Sequence, residues 1–377
     1  MAVRHALADN FRDRDELGAA VAVAIEGKLV VDMWAGWMDS DRTRPWEHDT
    51  LVDVFSVGKA MAALCVMLLV ERGQLDLDAP VSRHWPQFAA AGKDGVTVRM
   101  LLSHRAGVPA IRRDLPEPAI YDWDVITSAL AQEEPWWKPG DRHGYHVNTF
   151  GFLVGEVVRR VSGDSIGTFF RREVAEKLNA DFHFGLGVEH DRRTAEYLFA
   201  AESLEPGEED VDRAPPADLD PQRRFLLSRV YMNPPGMSGL GTVNTRAWRA
   251  AEIPSANAHA TARAVARIYS ALACGGAVDG IRLLDRGTIE EAVAEASAGE
   301  DLVLGRPSRF GLGFQLTQPE RPLGPNRRSF GHFGAGGSVG FADPDVGLAF
   351  GYAMNRSGPR WQNPRNRALI DAVYASL

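Results

Sequence analysis

Apolar positions divide the chain into a strand-like start, a helical middle and a strand-like end. Residues 17–37, LGAAVAVAIEGKLVVDMWAGW, predict two strands that turn at Glu26-Gly27. The segment SVGKAMAALCVMLLVERGQL, which begins at Ser56, is apolar on nearly every side and free of proline. This pattern predicts a helix that ends at Gly73 and lies in the centre of the protein.

The rest of the pattern places helices between two groups of strands. Further helices are predicted at residues 149–163, 165–178, 261–276 and 366–377. An acidic, proline-rich stretch at 205–221 predicts an exposed loop. From about residue 310, short strands separated by glycine turns are predicted in FGLGFQL, SFGHFGAGG and GLAFGYAMN. We therefore expect an α/β domain built from residues 1–80 and 291–377, with a mainly helical insertion at 81–290 and the active site in the cleft between them.

Composition narrows the class of protein. The chain has 377 residues, 45% hydrophobic and 24% charged, and a net charge of −8 without a basic block. This balance argues against a nucleic-acid or membrane partner. Cys65 and Cys274 lie far apart in apolar segments, which predicts buried free thiols. The first residues show no apolar signal-peptide core, so we expect a cytoplasmic enzyme.

Ser56 and Lys59 are the first candidates for chemistry. Lysine is rare, with five among the 42 basic residues, and one of the five stands three positions after a serine at the start of the central helix. Residues i and i+3 share a helix face, so Ser56 Oγ and Lys59 Nζ can meet. Burial there would lower the pKa of Lys59 and let it accept the serine proton. The alternative is that Ser56 caps the helix and Lys59 extends to solvent.

Two further segments offer partners for this pair. Tyr145 follows a Pro-Gly turn and precedes an apolar helix, and near a lysine it could act as a general base. A tyrosine in such a place, taken alone, is more often a buried aromatic with a hydrogen-bonded hydroxyl. His332-Phe333-Gly334 lies on a predicted strand, followed by glycines that let a backbone approach a ligand closely.

Together these residues resemble the serine β-lactamase and penicillin-binding protein superfamily. Ser56-x-x-Lys59, Tyr145 and His332-x-Gly334 occur in the family's order, and the similarity includes DTLVDVFSVGKA, VTVRMLLSHRAGVP, PGDRHGYHVNTFGFLVGEVVRR and GHFGAGGSVGFADPDVGLAFGYAMNR. The resemblance is closest to class C β-lactamase-like family VIII carboxylesterases. It implies an antiparallel sheet flanked by helices with a large helical insertion, and an acyl-enzyme formed on Ser56.

Departures from the family pattern favour an ester hydrolase. The tyrosine motif of class C enzymes is Tyr-x-Asn, but Asn148 stands one position late and is expected to point elsewhere. No lysine follows Lys177, so a Lys-Thr-Gly motif is absent and His332-Phe333 takes its place. Without a fixed positive charge the site should prefer neutral acyl groups, and protonation of His332 at lower pH would improve carboxylate binding. A β-lactamase, DD-peptidase or small-amide hydrolase on the same residues is the alternative, and a non-catalytic binding homologue is a third.

The resemblance also implies the remaining parts of the site. We expect the oxyanion to lie between the backbone N–H groups of Ser56 and Ala335. Apolar lining is predicted from Trp136, Trp137 and Phe150. The expected partner is a small ester; no metal or cofactor is implied, and the sequence does not determine the oligomeric state. His104 matches a structural segment of the family and is left out of the predicted catalytic set.

A second serine motif competes with Ser56. Residues 336–340 fit Gly-x-Ser-x-Gly, the nucleophile elbow of α/β-hydrolases. That elbow requires a following helix and a later histidine, whereas a strand-like segment follows here and no histidine lies beyond His332. We therefore interpret Ser338 as part of a glycine-rich turn.

Overall fold

The computed structural model describes residues 1–199 and 219–377, so the predicted loop at 205–221 lies almost wholly outside the described residues. Within the described residues the strands are β1 (Gly18–Ile25), β2 (Lys28–Gly36), β3 (Val52–Asp53), β4 (Phe182–His183), β5 (His259–Ala260), β6 (Ala277–Val278), β7 (Ile281–Arg282), β8 (Ser297–Glu300), β9 (Pro307–Phe310), β10 (Gln315–Leu316), β11 (Phe330–Phe333), β12 (Val339–Asp343) and β13 (Leu348–Met354).

The helices are α1 (Ala2–Asp13), α2 (Val57–Glu71), α3 (Val98–Leu102), α4 (Trp123–Gln132), α5 (Thr149–Ser162), α6 (Ile166–Phe170), α7 (Glu176–Leu178), α8 (Pro221–Met232), α9 (Arg246–Ala250), α10 (Ala262–Ala273), α11 (Arg286–Val293) and α12 (Pro364–Tyr374). A π-helical turn at Arg171–Ala175 joins α6 to α7. The predicted helix at 165–178 is therefore formed, with one wide turn inside it.

The main sheet has eight antiparallel strands in the order β2-β1-β13-β12-β11-β10-β9-β8. Strands from the start of the chain thus pair with strands from its end, and Ala22 of β1 lies opposite Gly351 of β13. The hairpin predicted at Glu26-Gly27 is present, with both turn residues at positive φ. The predicted fold class, an antiparallel sheet flanked by helices, is confirmed.

Helices cover both faces of the sheet. On one face, α10 lies against Gly340 and Gly351, which pair across β12 and β13. A Cβ at Gly351 would come within 2.3 Å of the Ala262 carbonyl oxygen, so the absence of a side chain lets the helix approach closely. On the opposite face, Tyr352 donates a hydrogen bond to Glu16, which also pairs with Arg365 of α12 at 3.0 Å.

The predicted central helix is α2, and it carries the start of the site. Every residue from Val57 to Leu69 is buried, as its uniformly apolar sequence requires. Gly73 follows the helix at φ +68°. The N-terminus of α2 therefore lies inside the molecule.

Several details differ from the sequence predictions or extend them. Helix α1 was not predicted, because only two of its apolar residues, Val3 and Leu7, are buried and its sequence shows no longer apolar pattern. Cys65 is buried, but Cys274 is only partly buried, which corrects the prediction for that thiol. Helix α10 falls within the predicted helical insertion yet packs on the sheet, and the division at 80/81 and 290/291 stays a prediction.

Among the helices of residues 1–199 and 219–377, none combines the length and apolarity needed to cross a bilayer. Across the same residues, no cluster of three His, Cys, Asp or Glu side chains is arranged to hold a metal ion.

Candidate active site

Ser56 and Lys59 meet at the start of α2. Lys59 Nζ donates a hydrogen bond to Ser56 Oγ at 2.9 Å. Lys59 has no exposed surface, whereas Ser56 is half-buried. Ser56 makes no side-chain capping bond to the helix. The alternative of a helix cap beside a solvent-directed lysine is therefore wrong.

A backbone carbonyl completes this pair. The carbonyl oxygen of Ser255 accepts from Lys59 Nζ at 3.0 Å and from Ser56 Oγ at 3.2 Å. The Ser255 hydroxyl in turn accepts from the backbone N–H of Gly151 on α5 at 2.7 Å. One residue therefore fixes the serine and the lysine relative to α5.

The ring of Tyr145 lies beside the Lys59 ammonium group. The ammonium nitrogen is 4.8 Å from the centroid of the tyrosine ring. Tyr145 is fully buried, and its ring stacks on Phe310 at 5.7 Å and contacts Trp361 edge-on at 5.3 Å. The structure thus brings all three predicted catalytic residues together, with Lys59 near both of the others.

His332 borders this group and is electrically neutral. It has no exposed surface, its ring centroid is 6.0 Å from that of Tyr145, and Nδ1 lies 2.6 Å from the Phe333 carbonyl oxygen. Burial, with a smaller contribution from the charge of Lys59, lowers the pKa of His332 to about 3. The expectation that His332 becomes cationic at mildly acid pH is therefore wrong.

Two more histidines surround the tyrosine. His146 Nε2 accepts from the Val108 N–H at 3.1 Å, and burial lowers the pKa of His146 to about 4. His104 is 5.0 Å from the Tyr145 ring, and burial, with smaller contributions from His146 and Lys59, holds the pKa of His104 well below its usual range. These neutral rings keep the surroundings of Lys59 free of competing positive charge.

The predicted oxyanion donors lie where two tight backbone segments meet. Phe55, just before Ser56, adopts φ +48°, and its N–H donates to Asp53 Oδ1 at 2.8 Å. A Cβ at Gly334 would come within 2.3 Å of the Val54 carbonyl oxygen, so β11 ends directly against the segment that leads into α2. Among the hydrogen bonds of the described chain, the backbone N–H groups of Ser56 and Ala335 have no protein acceptor. Their role as oxyanion donors stays a prediction.

Comparison with known proteins agrees with this arrangement. The family described as beta-lactamase matches residues 5–375. The chain belongs to the beta-lactamase family. It is 37% identical over 361 residues to a protein of Mycobacterium tuberculosis named esterase/beta-lactamase LipL, covering 94% of this chain and 80% of the relative.

Solved structures lead to the same family. A family VIII carboxylesterase superimposes with a TM-score of 0.90 at 40% identity, covering 100% of this chain and 97% of the other. A penicillin-binding protein homologue from Caulobacter crescentus gives a TM-score of 0.89 at 40% identity, with the same coverage. The predictions of the family and of an enzyme of the serine-hydrolase class are confirmed.

Asn148 stands one position later than the asparagine of the usual family motif, and its amide bonds to residues of another segment. Its Nδ2 donates to the Val230 carbonyl at 3.0 Å and to Ser238 Oγ at 3.2 Å. The amide thus anchors the end of α8, and that Asn148 points away from Ser56 stays a prediction.

Ser338, the serine of the competing motif, is completely buried. Its hydroxyl donates to the Val54 carbonyl at 3.0 Å, and the strand β12 follows it directly. No helix follows, so the geometry of a nucleophile elbow is absent and the interpretation as a turn holds.

The predicted lining residues occupy different environments. Trp136 is half-buried between the Arg112 guanidinium at 4.0 Å and the Phe225 ring at 5.7 Å. Trp137 is also half-buried and donates to the Arg142 carbonyl at 3.1 Å. Phe150 is 1% exposed and packs behind His104 at 4.9 Å, so it belongs to the core. Phe333, Gly334 and Ala335 form the end of β11 and the turn after it, and of these only Ala335 is partly exposed.

Sequence reasoning missed two residues that hold the site together. Ser255 acts through its backbone carbonyl, which no residue type reveals. Asp301 accepts hydrogen bonds from the backbone N–H of Tyr145 at 2.9 and 3.1 Å. Its only signal in the sequence is an aspartate four residues before a glycine, which indicates a turn.

Proposed function

We propose that this protein hydrolyses small carboxylic esters through an acyl-enzyme on Ser56. The observation that carries the proposal is the 2.9 Å contact between Ser56 Oγ and a fully buried Lys59 Nζ. A lysine without exposed surface loses the solvation that favours its charged form, so it can serve as a proton acceptor. The esterase names of the relatives support the same reaction.

In the first step, Ser56 attacks the ester carbonyl. Lys59 takes the serine proton, and Lys59 with Tyr145 passes a proton to the departing alcohol. The Ser56 hydroxyl donates to the Ser255 carbonyl, the same oxygen that accepts from Lys59 Nζ, and this shared acceptor holds the hydroxyl beside the lysine. The N–H groups of Ser56 and Ala335 receive the negative oxygen, and such a donor is worth about 2.7–4 kcal/mol in the transition state.

In the second step, water releases the acid. As Tyr145 takes a proton from this water, its own phenol proton passes to Lys59, and Lys59 then gives a proton to Ser56 Oγ as the acid leaves, so the serine hydroxyl and both acid/base residues are restored. His104, His146 and His332 stay neutral at neutral pH. Among these three histidines and Lys59, only the lysine can therefore carry a charge next to the Tyr145 phenol.

Neutral acyl groups fit this site better than carboxylates do. His332 is uncharged and stands where the family usually has a lysine, and Asn148 is directed at Val230 and Ser238. β-Lactam hydrolysis is the second candidate, because the relative from Mycobacterium tuberculosis carries both activities in its name. A cytoplasmic location stays a prediction.

Covalent labelling tests the proposed nucleophile. A fluorophosphonate probe should modify the wild-type protein once, and peptide mapping should place the adduct on Ser56. Prior incubation with p-nitrophenyl butyrate should slow the labelling, because ester and probe compete for one hydroxyl. An adduct on Ser338, or no adduct on a protein that hydrolyses the ester, would exclude Ser56 as the nucleophile.

A further inference from the structure

We propose that Asp301 is the positioning residue for Tyr145, and that its buried carboxylate holds the tyrosine in register with Lys59. This inference rests on the proposed function, in which Tyr145 moves protons. Asp301 has no exposed surface, although it lies in a loop between β8 and β9.

The carboxylate of Asp301 binds the tyrosine backbone with both oxygens. Oδ1 accepts the Tyr145 N–H at 2.9 Å and Oδ2 accepts it at 3.1 Å. Oδ1 also accepts the N–H groups of Val303 and Leu304, each at 2.9 Å. Oδ2 accepts the Ser308 hydroxyl at 2.8 Å. The loop is therefore folded around the Asp301 carboxylate. Among the contacts just given, Tyr145 is the one residue outside the loop whose backbone N–H binds this carboxylate.

Further contacts tie the neighbours of Tyr145 to the same loop. The His143 carbonyl accepts the Leu302 N–H at 3.2 Å, and His143 Nε2 lies 2.9 Å from Ser308 Oγ. On the other side, His104 receives the N–H groups of Gly144 and His146 at 3.1 and 3.2 Å. The segment 143–146 is thus held between the Asp301 loop and His104.

The loop also packs against the tyrosine itself. Val303 and Leu304 are buried in one small apolar cluster with Tyr145 and Phe310. A change in the loop is therefore transmitted to the ring that lies beside Lys59. Since a displacement of about 1 Å can cost on the order of a hundredfold in rate, loss of Asp301 should lower kcat. It should leave KM little changed, because Asp301 does not reach the surface at Ser56.

A second aspartate provides a matched control, because it caps a loop in the same way outside the site. Asp39 is 6% exposed and accepts the N–H and hydroxyl of Thr43 at 2.8 and 2.7 Å and the N–H of Arg44 at 3.1 Å. If Asp301 merely stabilised a loop, Asp301→Ala and Asp39→Ala would have the same effect on activity.

The experiment compares the wild type and the variants in kcat and KM for p-nitrophenyl butyrate. Circular dichroism monitors the thermal unfolding of each protein. We expect Asp301→Ala to lower kcat by about ten- to a hundredfold with KM within about threefold, and Asp39→Ala to lower Tm without lowering kcat. Asp301→Asn should keep kcat within about threefold of wild type, because its amide oxygen can still accept the three N–H groups and Ser308 can turn its hydroxyl to His143.

If Asp301→Ala does not fold, Asp301→Glu replaces it. That variant keeps the charge but pushes the loop outward by one methylene, so kcat should fall below that of Asp301→Asn. A folded Asp301→Ala with wild-type kcat, or equal kcat in the Glu and Asn variants, would overturn the inference while Ser56-dependent hydrolysis stands. A wild-type protein without Ser56-dependent hydrolysis would instead overturn the proposed function and this inference with it.

Discussion

The Ser338 hydroxyl donates a hydrogen bond to the carbonyl oxygen of Val54, two residues before Ser56, at 3.0 Å. The two serines that compete as candidate nucleophiles in the sequence therefore lie on neighbouring segments that are joined by this hydrogen bond. Ser338 ties the end of β11 to the segment that leads into α2, and Ser56 stands half-buried at the start of that helix.

This relationship predicts different results for the two alanine variants. Ser56→Ala should abolish hydrolysis of p-nitrophenyl butyrate, because the hydroxyl beside Lys59 is lost. Ser338→Ala should keep most of the activity and lose about 1 kcal/mol of unfolding free energy, the typical value of one hydrogen bond. The measurements are steady-state kinetics and urea unfolding. Inactivity of a folded Ser338→Ala with activity in Ser56→Ala would reverse the assignment.

Lys59 should not tolerate arginine. The Lys59 side chain has no exposed surface, and its Nζ contacts both Ser56 Oγ and the Ser255 carbonyl. A guanidinium is larger and keeps its proton at any working pH. We expect Lys59→Arg and Lys59→Ala to lose activity alike, on the order of 10²–10⁴-fold for a lost proton acceptor. Substantial turnover by Lys59→Arg would show that only the positive charge matters.

Gly334 is predicted to be intolerant of a side chain. A Cβ there would come within 2.1 Å of Ser338 Oγ and 2.3 Å of the Val54 carbonyl oxygen, which would displace the Ala335 N–H. Gly334→Ala should therefore lower kcat by about a hundredfold, as expected when an oxyanion donor is lost. Gly287→Ala on α11 is the control, since a Cβ there meets nothing within 4 Å. Wild-type kcat in a folded Gly334→Ala would remove Ala335 from the oxyanion site.

The buried histidines predict that the protein loses stability in acid. Burial lowers the pKa of His259 to about 3 from an ordinary value of 6.5. Between these pH values the unfolded state binds a proton that the native state does not, so the free energy of unfolding falls as pH falls. His259→Gln should flatten this slope by about 1.4 kcal/mol per pH unit. Urea unfolding at several pH values measures it, with His48→Gln, whose side chain is 58% exposed, as the control. An unchanged slope in His259→Gln would contradict the prediction.

Much of the fold could be predicted from the sequence because several helices and strands have a clear pattern of apolar residues. The uniformly apolar run after Ser56 predicted a central helix, and the three glycine-separated apolar runs after residue 310 contain strands β10, β11 and β13. Helix α1 escaped because its buried face is narrow. Pairing of β1 with β13 joins residues more than 300 positions apart, and no local pattern encodes such a partner.

The candidate site divides in the same way. Ser56 and Lys59 were singled out because a serine and a lysine three residues apart at the start of a helix suggest chemistry, and Tyr145 because its place in the chain resembles the family's motif order. The Ser255 carbonyl and the Asp301 loop were not, because a backbone oxygen has no residue type and a capping aspartate looks like any turn. Phe150 was expected to line a pocket, but its place behind His104 depends on packing between α5 and the segment after α3.

Selectivity between esters and β-lactams tests the central claim most directly. The measurement is kcat/KM for p-nitrophenyl butyrate and for nitrocefin on one preparation of wild-type protein, with Ser56→Ala as the blank. A neutral His332 in place of a lysine removes a charged hydrogen bond worth roughly 1.5–3 kcal/mol to a lactam carboxylate. We therefore predict that the ester exceeds nitrocefin by at least about tenfold, and that this ratio does not narrow in mildly acid buffer, because His332 stays neutral there. A nitrocefin value equal to or above the ester value would contradict the account and identify a β-lactamase.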